Sequence, residues 1–363
     1  ILYMKKILKI VLLLVSILYS LNFIFWDMSM PDIFYWMNRS EFYKLEFMNI
    51  FSVWLGYIWI NIFGNNVVCF RFLGWLCTTS AMTLPFLLLQ TKNSAWKNLS
   101  FLSIGFVLMG TGTFRLYNPD STTVLFLSLV TVSIIRFIKE HQSRWFFILC
   151  ISTALASCSR FPNILILVLI AVILFIDSCF FVKEKKLKAT GVSLFYLLLT
   201  FSFYLMLVFI LSGESDIWNY AKDAVVNHKV GPSHNLSVLL SRYVRSFVTT
   251  CSFYILLVVS SLLLYKISKR INKKYIWLFS GIILFLLMKF SIYPYYYNGP
   301  VLAFYFFSLC VMLAFKNPKF SKDRIIFVLP IFIDFIAIAG SDTGVNKLFP
   351  YSAAMLPIML CSF

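Results

Sequence analysis

Charged side chains are scarce in this sequence of 363 residues, and acidic side chains are the scarcest among them. Aspartate and glutamate together number 14, and all charged residues make up 13% of the chain, against about a quarter in soluble proteins. Hydrophobic residues, in contrast, make up 61%. This balance excludes an ordinary soluble domain.

The sequence also lacks the cysteine and histidine patterns of a disulfide framework or a zinc site. Its 8 cysteines fall mostly inside apolar runs, without a CxxC pair, and its 3 histidines form no cluster with them. We interpret His228 and His234 as solvated loop residues rather than metal ligands. We expect no cofactor, and no ligand cluster indicates a metal.

Long apolar runs are what the sequence has in abundance. Residues 164–176 and 254–265 carry no charge at all, and about 20 mainly apolar residues suffice for a helix to cross a membrane. The runs are continuous rather than alternating, which excludes a transmembrane β-barrel. The chain is therefore predicted to form an all-α, polytopic transmembrane helical bundle of about 11–12 spans. These predicted spans lie near residues 7–26, 67–90, 99–117, 121–138, 145–159, 161–182, 190–211, 243–265, 275–290, 298–315, 325–340 and from 349 onward.

We interpret residues 1–363 as a single transmembrane domain with two longer connecting segments, 27–66 and 212–241. The chain begins at Ile1 and ends inside an apolar run, so we expect a fragment whose C-terminal part is missing. The segment 27–66 mixes charged residues with aromatic ones, which is typical of helices that lie in the membrane interface. One or two juxtamembrane helices are predicted there, on the outer face.

Lysine and arginine produce the formal net charge of +18, yet they punctuate the apolar runs instead of clustering on one face. We therefore expect membrane lipids as partners and no nucleic acid. With the N-terminus placed in the cytoplasm, roughly two thirds of the 32 basic residues fall in inner segments, as the positive-inside rule requires. Most carboxylates then fall outside. This predicts a multi-pass membrane protein whose chemistry takes place on the outer face. We expect the membrane to be a bacterial inner (plasma) membrane.

Acidic candidates for catalysis stand where apolar runs stop on the predicted outer face. The stretch Trp26-Asp27-Met28-Ser29-Met30-Pro31-Asp32 ends the first run, and Asn118-Pro119-Asp120 separates two later runs. A positioned carboxylate can take the proton of an acceptor hydroxyl, and Asp27 is the leading candidate for such a base. Asp120 also has a simpler interpretation, as the cap of the helix that follows it.

Basic candidates lie near the same ends. Arg115, Arg160 and Lys289 each fall within a few residues of a predicted outer end, where they could stabilise a leaving phosphate. The simpler alternative is that these side chains only extend to the lipid headgroups. Tyr295 belongs to a group of tyrosines that could stack on a sugar or form an aromatic belt. Asp334, inside an apolar run, ranks below these candidates.

The order of these features resembles that of the GT-C type integral-membrane glycosyltransferases, in the branch of protein mannosyltransferases and lipid A aminoarabinose transferase. Each motif is short, and their order and membrane side are the specific part. The similarity covers most of the chain. In chain order the segments are Trp26-Asp27…Pro31-Asp32, Gly56-Tyr57-Ile58-Trp59-Ile60-Asn61-Ile62-Phe63-Gly64-Asn65, Arg71, Asn118-Pro119-Asp120, Ser159-Arg160-Phe161, Lys289 and Tyr293-Pro294-Tyr295-Tyr296-Tyr297-Asn298-Gly299-Pro300.

This resemblance implies a sugar donor carried on polyprenyl phosphate and a glycan, lipid or protein acceptor. It implies a first-loop carboxylate as base, with Asp27 at the matching position, and a second acid in the later turn, here Asp120. Many members carry an Asp-Glu pair in the first loop, whereas Met28 follows here, so Asp32 stays open as the alternative. Some distant relatives need a divalent ion. The residues assigned to substrate binding are Asp32, Arg115, Arg160, Lys289, Tyr295 and Asp342.

Two other functions stay open on the sequence. An O-antigen or polysaccharide polymerase shares the many-span composition, but we expect it to have a larger outer loop with several arginines, and residues 212–241 contain none. A flippase or transporter of lipid-linked glycans is expected to show internal repeats and helices broken at mid-membrane depth. The sequence shows no such repeat.

Overall fold

The prediction of an all-α protein is confirmed, because the described part of the chain forms helices and contains no strand. A computed structural model defines residues 2–26, 30–89, 99, 102–103, 105–107, 117–227, 237–238, 240–241, 244, 322–337, 351 and 354–355. Its helices are α1 (Leu2–Trp26), α2 (Met30–Glu41), α3 (Ile50–Phe63), α4 (Val67–Leu89), α5 (Pro119–Glu140), α6 (Ser143–Ser159), α7 (Leu165–Ile176), α8 (Lys186–Ser212), α9 (Ile217–Asn227) and α10 (Lys322–Ala337).

Four helical stretches within the described residues are long and apolar enough to cross a membrane. They are Val67–Leu89, Pro119–Glu140, Phe161–Phe181 and Lys186–Ser212. The third stretch joins a short 3-10 turn, α7 and a five-residue π-helical turn into one apolar run. The predicted spans near 275–290 and 298–315 lie outside the described residues, 243–265 is described at residue 244 alone, and 99–117 is described at six helical positions.

The long helices run between two ends of the bundle, and α4 and α5 are parallel, because their C-terminal turns lie side by side. At one end Arg136 of α5 donates through Nε to the carbonyl oxygen of Leu88 in α4, at 3.0 Å. At the other, Ser52 of α3 donates to the carbonyl oxygen of Ser159 in α6, at 2.9 Å. We call these the Glu140 end and the Asp120 end, after the residues of α5 that lie there.

The core is built around α5, whose apolar side chains are buried on all sides. Val124, Leu127, Val130, Ile134 and Ile138 all have no exposed surface, and α4, α6 and α10 pack around them. A helix that is apolar around its whole circumference belongs in the interior of a bundle. The packing around α5 therefore holds its first turn, at the Asp120 end, in a fixed position.

Helices α2 and α3 occupy the segment between the first two long helices. In α2, Ile33 and Met37 face the bundle, whereas Phe34 and Tyr35 remain about half exposed. In α3 the buried face includes Val53 and packs on α5, α6 and α8. The pair therefore lies over the Asp120 end and contributes side chains to its interior.

Lys322 is the central residue of a charged cluster at the Glu140 end. Its Nζ donates to the carbonyl oxygen of Ile138, at 2.9 Å, and lies 2.9 Å from Nε2 of His141 and 3.7 Å from Oδ1 of Asp177. The Asp177 side chain is 1% exposed and opens the π-helical turn. A carboxylate this deeply buried requires a cation beside it. Lys322 thus holds the start of α10 against α5 and α7.

Replacing Lys322 with methionine is expected to destabilise the protein strongly, because it leaves the buried Asp177 carboxylate without its ammonium partner. Breaking a fully buried pair costs about 3–5 kcal/mol, and we expect about 2 kcal/mol here since Lys322 is partly exposed. Thermal unfolding of the purified protein measures the loss.

The matched control is Lys188→Met, which removes an exposed partner of Glu184 at 2.6 Å. Exposed pairs of this kind contribute about 0–1 kcal/mol. A loss in Lys322→Met no larger than that in Lys188→Met would contradict the structural role of the cluster.

Candidate functional site

Asp120, Arg160 and Tyr351 meet at the Asp120 end of the bundle, although 231 positions separate the first from the last. The Tyr351 hydroxyl donates to Oδ1 of Asp120 at 3.0 Å, and Nη1 of Arg160 lies 3.8 Å from the same oxygen. The side chains of Asp120 and Arg160 are 15% and 11% exposed, and Tyr351 is fully buried. A carboxylate, a guanidinium and a phenol are thus grouped just beneath the surface.

The first turn of α5 determines where Asp120 points. Asn118 is the N-cap: its Oδ1 accepts from the backbone N–H groups of Asp120 and Ser121, at 3.0 and 3.1 Å. The hydroxyl of Ser121 in turn accepts from the backbone N–H of Asn118, at 3.2 Å. Pro119 occupies the first helical position, where its missing N–H costs nothing. Because Asn118 caps the helix, the Asp120 carboxylate is not used as the cap and reaches Tyr351 and Arg160 instead.

The positive end of the α5 macrodipole lies next to Asp120. Negative charge in the first turn of a helix is stabilised by the aligned peptide dipoles, whose positive end lies there. Asp120 is the acidic residue of that turn. The backbone of α5 and the Arg160 guanidinium therefore both favour a carboxylate at this position.

Arg160 stands at a break in the chain that its neighbours enforce. Helix α6 ends at Ser159, and Arg160 itself is extended, with φ −157° and ψ 115°. Pro162 follows two residues later, and because its nitrogen carries no hydrogen it cannot donate to the preceding turn, so α6 cannot continue through it. The side chain of Asn163 supports the break, since its Nδ2 donates to the carbonyl oxygen of Ala156 at 2.8 Å.

The Arg160 side chain also closes the end of α10. Its Nη1 donates to the carbonyl oxygen of Ala337, the last residue of that helix. The final carbonyls of a helix have no partner within it and carry partial negative charge, so a cation is well placed there. Arg71 of α4 makes the equivalent contact with α1, where its Nη1 donates to the Ile24 carbonyl at 3.1 Å.

A buried network of hydroxyl groups lies beneath the charged residues. The Oγ of Ser52 is 2.5 Å from Oγ1 of Thr122, and the Tyr117 hydroxyl donates to the Ser52 carbonyl at 2.6 Å. Asn163 adds a contact to Oγ1 of Thr123, at 3.2 Å. These hydrogen bonds join α3, α5 and the turn after α6, so they hold the floor of the site in one arrangement.

The rim of this end is formed by α2, α3 and α9. Arg39 pairs with Glu46 at 2.9 Å, and its guanidinium lies 4.6 Å from the ring centre of Tyr35. The Tyr220 hydroxyl of α9 donates to the carbonyl oxygen of Lys44, at 2.7 Å. Burial raises the pKa of Tyr220 further above its usual value, which favours the neutral phenol that donates this hydrogen bond. These contacts place α9 against the α2–α3 segment.

The structure brings two of the predicted site residues together, Asp120 and Arg160. Helix α1 ends at Trp26, at the same end of the bundle, which is where the first connecting segment starts. Asp32 lies in the first turn of α2, with its side chain outside the described atoms. The predicted residues Asp27, Arg115, Lys289, Tyr295 and Asp342 lie outside the described residues.

Sequence reasoning missed Tyr351, Asn163 and the hydroxyl network around Ser52. These are common polar residues within or beside apolar runs. No local sequence pattern distinguishes them from polar residues that face lipid or lie in loops. Asp334, the lower-ranked candidate, is fully buried in α10.

Residues 50–210 match the sequence profile of the family described as dolichyl-phosphate-mannose-protein mannosyltransferase. A comparison with curated proteins yields no match. The family match confirms the predicted resemblance to GT-C type membrane glycosyltransferases. At the coarse level it supports a membrane glycosyltransferase that uses a lipid-linked sugar donor. Asp120 and Arg160 lie inside the matched range, whereas Tyr351 lies beyond it.

Replacing Gly56 with alanine is expected to disturb the floor of the site. A Cβ at this position of α3 would stand too close to the Ser40 hydroxyl and 3.1 Å from Cε1 of Tyr117. Overpacking of this kind costs about 1–3 kcal/mol, more than the helix propensity gained from alanine. We expect a lower unfolding temperature.

Gly191→Ala is the matched control, because Gly191 is also helical and a Cβ there meets no atom within 4 Å. This variant should be as stable as the unchanged protein or slightly more stable. Equal unfolding temperatures for the two variants would contradict close packing at Gly56.

Proposed function

We propose that the protein is an inverting glycosyltransferase that moves a sugar from a polyprenyl-phosphate donor to a glycan, lipid or protein acceptor at the outer face of a bacterial plasma membrane. The observation that carries the proposal is the pairing of Asp120 with Arg160 inside the range that matches the mannosyltransferase family. Helix α1 ends at Trp26 at the same end of the bundle, so the first connecting segment begins there.

The distribution of charge supports the outer location. Basic residues are concentrated at the Glu140 end, where Arg136 and Arg144 flank the turn after α5, Lys183 and Lys185 precede α8, and Lys186 is its first residue. Basic segments stay in the cytoplasm according to the positive-inside rule. The Asp120 end then faces outward, and its acids and its aromatic rim face the side where envelope acceptors are found.

In the proposed reaction an acceptor hydroxyl attacks the anomeric carbon of the donor sugar. Asp27 takes the hydroxyl proton as the new C–O bond forms, and Asp32 is the alternative base. The bond from the sugar to the phosphate oxygen breaks, and the polyprenyl phosphate leaves with the bonding electron pair. The reaction balances without an oxidant or reductant.

The leaving phosphate develops negative charge, which cations held near it stabilise. Arg160 is proposed to contribute, since a guanidinium has five N–H donors in a fixed plane and its position is set by Asp120 and Ala337. Asp120 is proposed as the second acid of the site and holds this guanidinium in place. Arg115, Lys289, Tyr295 and Asp342 are proposed to complete the donor site, as the family resemblance implies.

The orientation can be tested by cysteine labelling in intact cells. Trp218 of α9, at the Asp120 end, is 78% exposed, and Leu187 of α8, at the Glu140 end, is 87% exposed. A membrane-impermeant maleimide should label Trp218→Cys before lysis and Leu187→Cys only after permeabilisation. The unchanged protein controls for native cysteines, and the reverse labelling pattern would overturn the outer location.

Asp27→Asn should abolish transfer, because an amide cannot accept the proton of the acceptor hydroxyl. We expect a loss of about 100-fold or more in turnover of polyprenyl-phosphate sugars by the purified protein, assayed with a panel of donor sugars. Expression and membrane insertion should be unchanged.

Asp32→Asn is the comparison variant: because Asp32 is assigned to substrate binding, we expect its loss to raise KM and to leave kcat largely unchanged. A large loss in Asp32→Asn with full activity in Asp27→Asn would transfer the role of base to Asp32. Full activity in both variants would contradict a first-loop carboxylate as base.

A further inference from the structure

We propose that Tyr351 is a positioning residue for the transfer reaction, whose hydroxyl orients the Asp120 carboxylate toward Arg160. The inference rests on the proposed function, because it assumes that Asp120 takes part in transfer. It extends the site beyond residues 50–210, the range in which the family match lies.

The geometry at the Asp120 carboxylate carries the proposal. The hydroxyl of Tyr351 and Nη1 of Arg160 approach one and the same oxygen, Oδ1, at 3.0 and 3.8 Å. The Tyr351 hydroxyl donates a hydrogen bond to this oxygen, and the guanidinium attracts it as an ion-pair partner, so together they restrict rotation of the carboxylate about its terminal torsion, which is otherwise broad. The direction of the second carboxylate oxygen is thereby set as well.

Tyr351 differs from Arg160 in that it carries no charge. Its removal would leave the charges of the site unchanged and would take away one hydrogen bond and one orienting contact. A buried phenol normally needs a partner for its hydroxyl, and Asp120 provides it here. The role of Tyr351 is therefore to fix the orientation of the Asp120 carboxylate. Any effect of Tyr351 on transfer should depend on the presence of that carboxylate.

The surroundings of Tyr351 make it a rigid support. The side chain has no exposed surface, and the next described residues of the chain, Ala354 and Met355, are buried in the same core as α5 and α10. Helix α10 is itself held at both ends, by Lys322 at one and by the Arg160 contact with Ala337 at the other. The C-terminal part of the described chain thus supplies two contacts to the site, one to each member of the Asp120–Arg160 pair.

Tyr351→Phe tests the proposal, with Tyr196→Phe as the matched control. Tyr196 is also fully buried, and its hydroxyl donates to Oγ1 of Thr153 at 3.0 Å, away from the site. Each variant loses one buried hydroxyl and one hydrogen bond, so both should lose similar thermal stability. Steady-state kinetics with the polyprenyl-phosphate sugar that the unchanged protein uses should separate them.

We expect kcat to fall about tenfold in Tyr351→Phe, the effect of one hydrogen bond to a charged group, with little change in KM for the donor. In Tyr196→Phe kcat should stay as in the unchanged protein. A purely structural role would instead lower the amount of folded protein and leave kcat per active molecule unaltered.

A double-mutant cycle makes the test specific. In an Asp120→Asn background the further change Tyr351→Phe should alter kcat by less than about twofold, because the carboxylate that it orients is gone. Equal losses in both backgrounds, or an undiminished kcat in Tyr351→Phe, would overturn the inference while leaving the transferase intact. No turnover by the unchanged protein with any donor would overturn the proposed function and this inference with it.

Discussion

The contact of the Arg160 guanidinium with the Asp120 carboxylate and the Ala337 carbonyl joins three distant parts of the chain. A charge enclosed by apolar helices is costly unless a counter-charge and hydrogen-bond acceptors surround it. For that reason the Arg160 guanidinium requires both the Asp120 carboxylate and the Ala337 carbonyl. The first turn of α5, the break after α6 and the end of α10 must lie next to one another, and the geometry of the Asp120 end follows from this requirement.

The same constraint acts at the opposite end through different residues. Asp177 is buried where α7 changes to a π-helical turn, and Lys322 supplies the compensating charge from the start of α10. Helix α10 therefore meets an acid at each end, the buried Asp177 directly at one and the partly buried Asp120 through Arg160 at the other. This arrangement fixes the position of α10 along the bundle axis. A purely apolar contact surface would restrict sliding of the helix less strictly.

Part of the candidate site could be predicted from local patterns. The sequence Asn118-Pro119-Asp120 predicts a turn with an acid at a helix start, and Pro162 after Arg160 predicts a break. Both are properties of a few adjacent residues, since proline restricts its own backbone and that of its neighbour. The structure refines the first prediction, because Asn118 rather than Asp120 caps α5. The partners of these residues could not be predicted, because nothing near Asp120 in sequence points to Tyr351.

By itself the sequence determined the class of protein, the helical architecture and the positions where many helices begin and end. These depend on hydrophobic run length, on the spacing of basic residues and on turn residues, all of which are local quantities. Tertiary structure alone decided which of the scarce polar groups meet: Tyr351 with Asp120, Ser52 with Thr122, and Lys322 with Asp177. The physical reason is that each buried polar group must find a partner, and in a bundle that partner comes from whichever helix packs alongside.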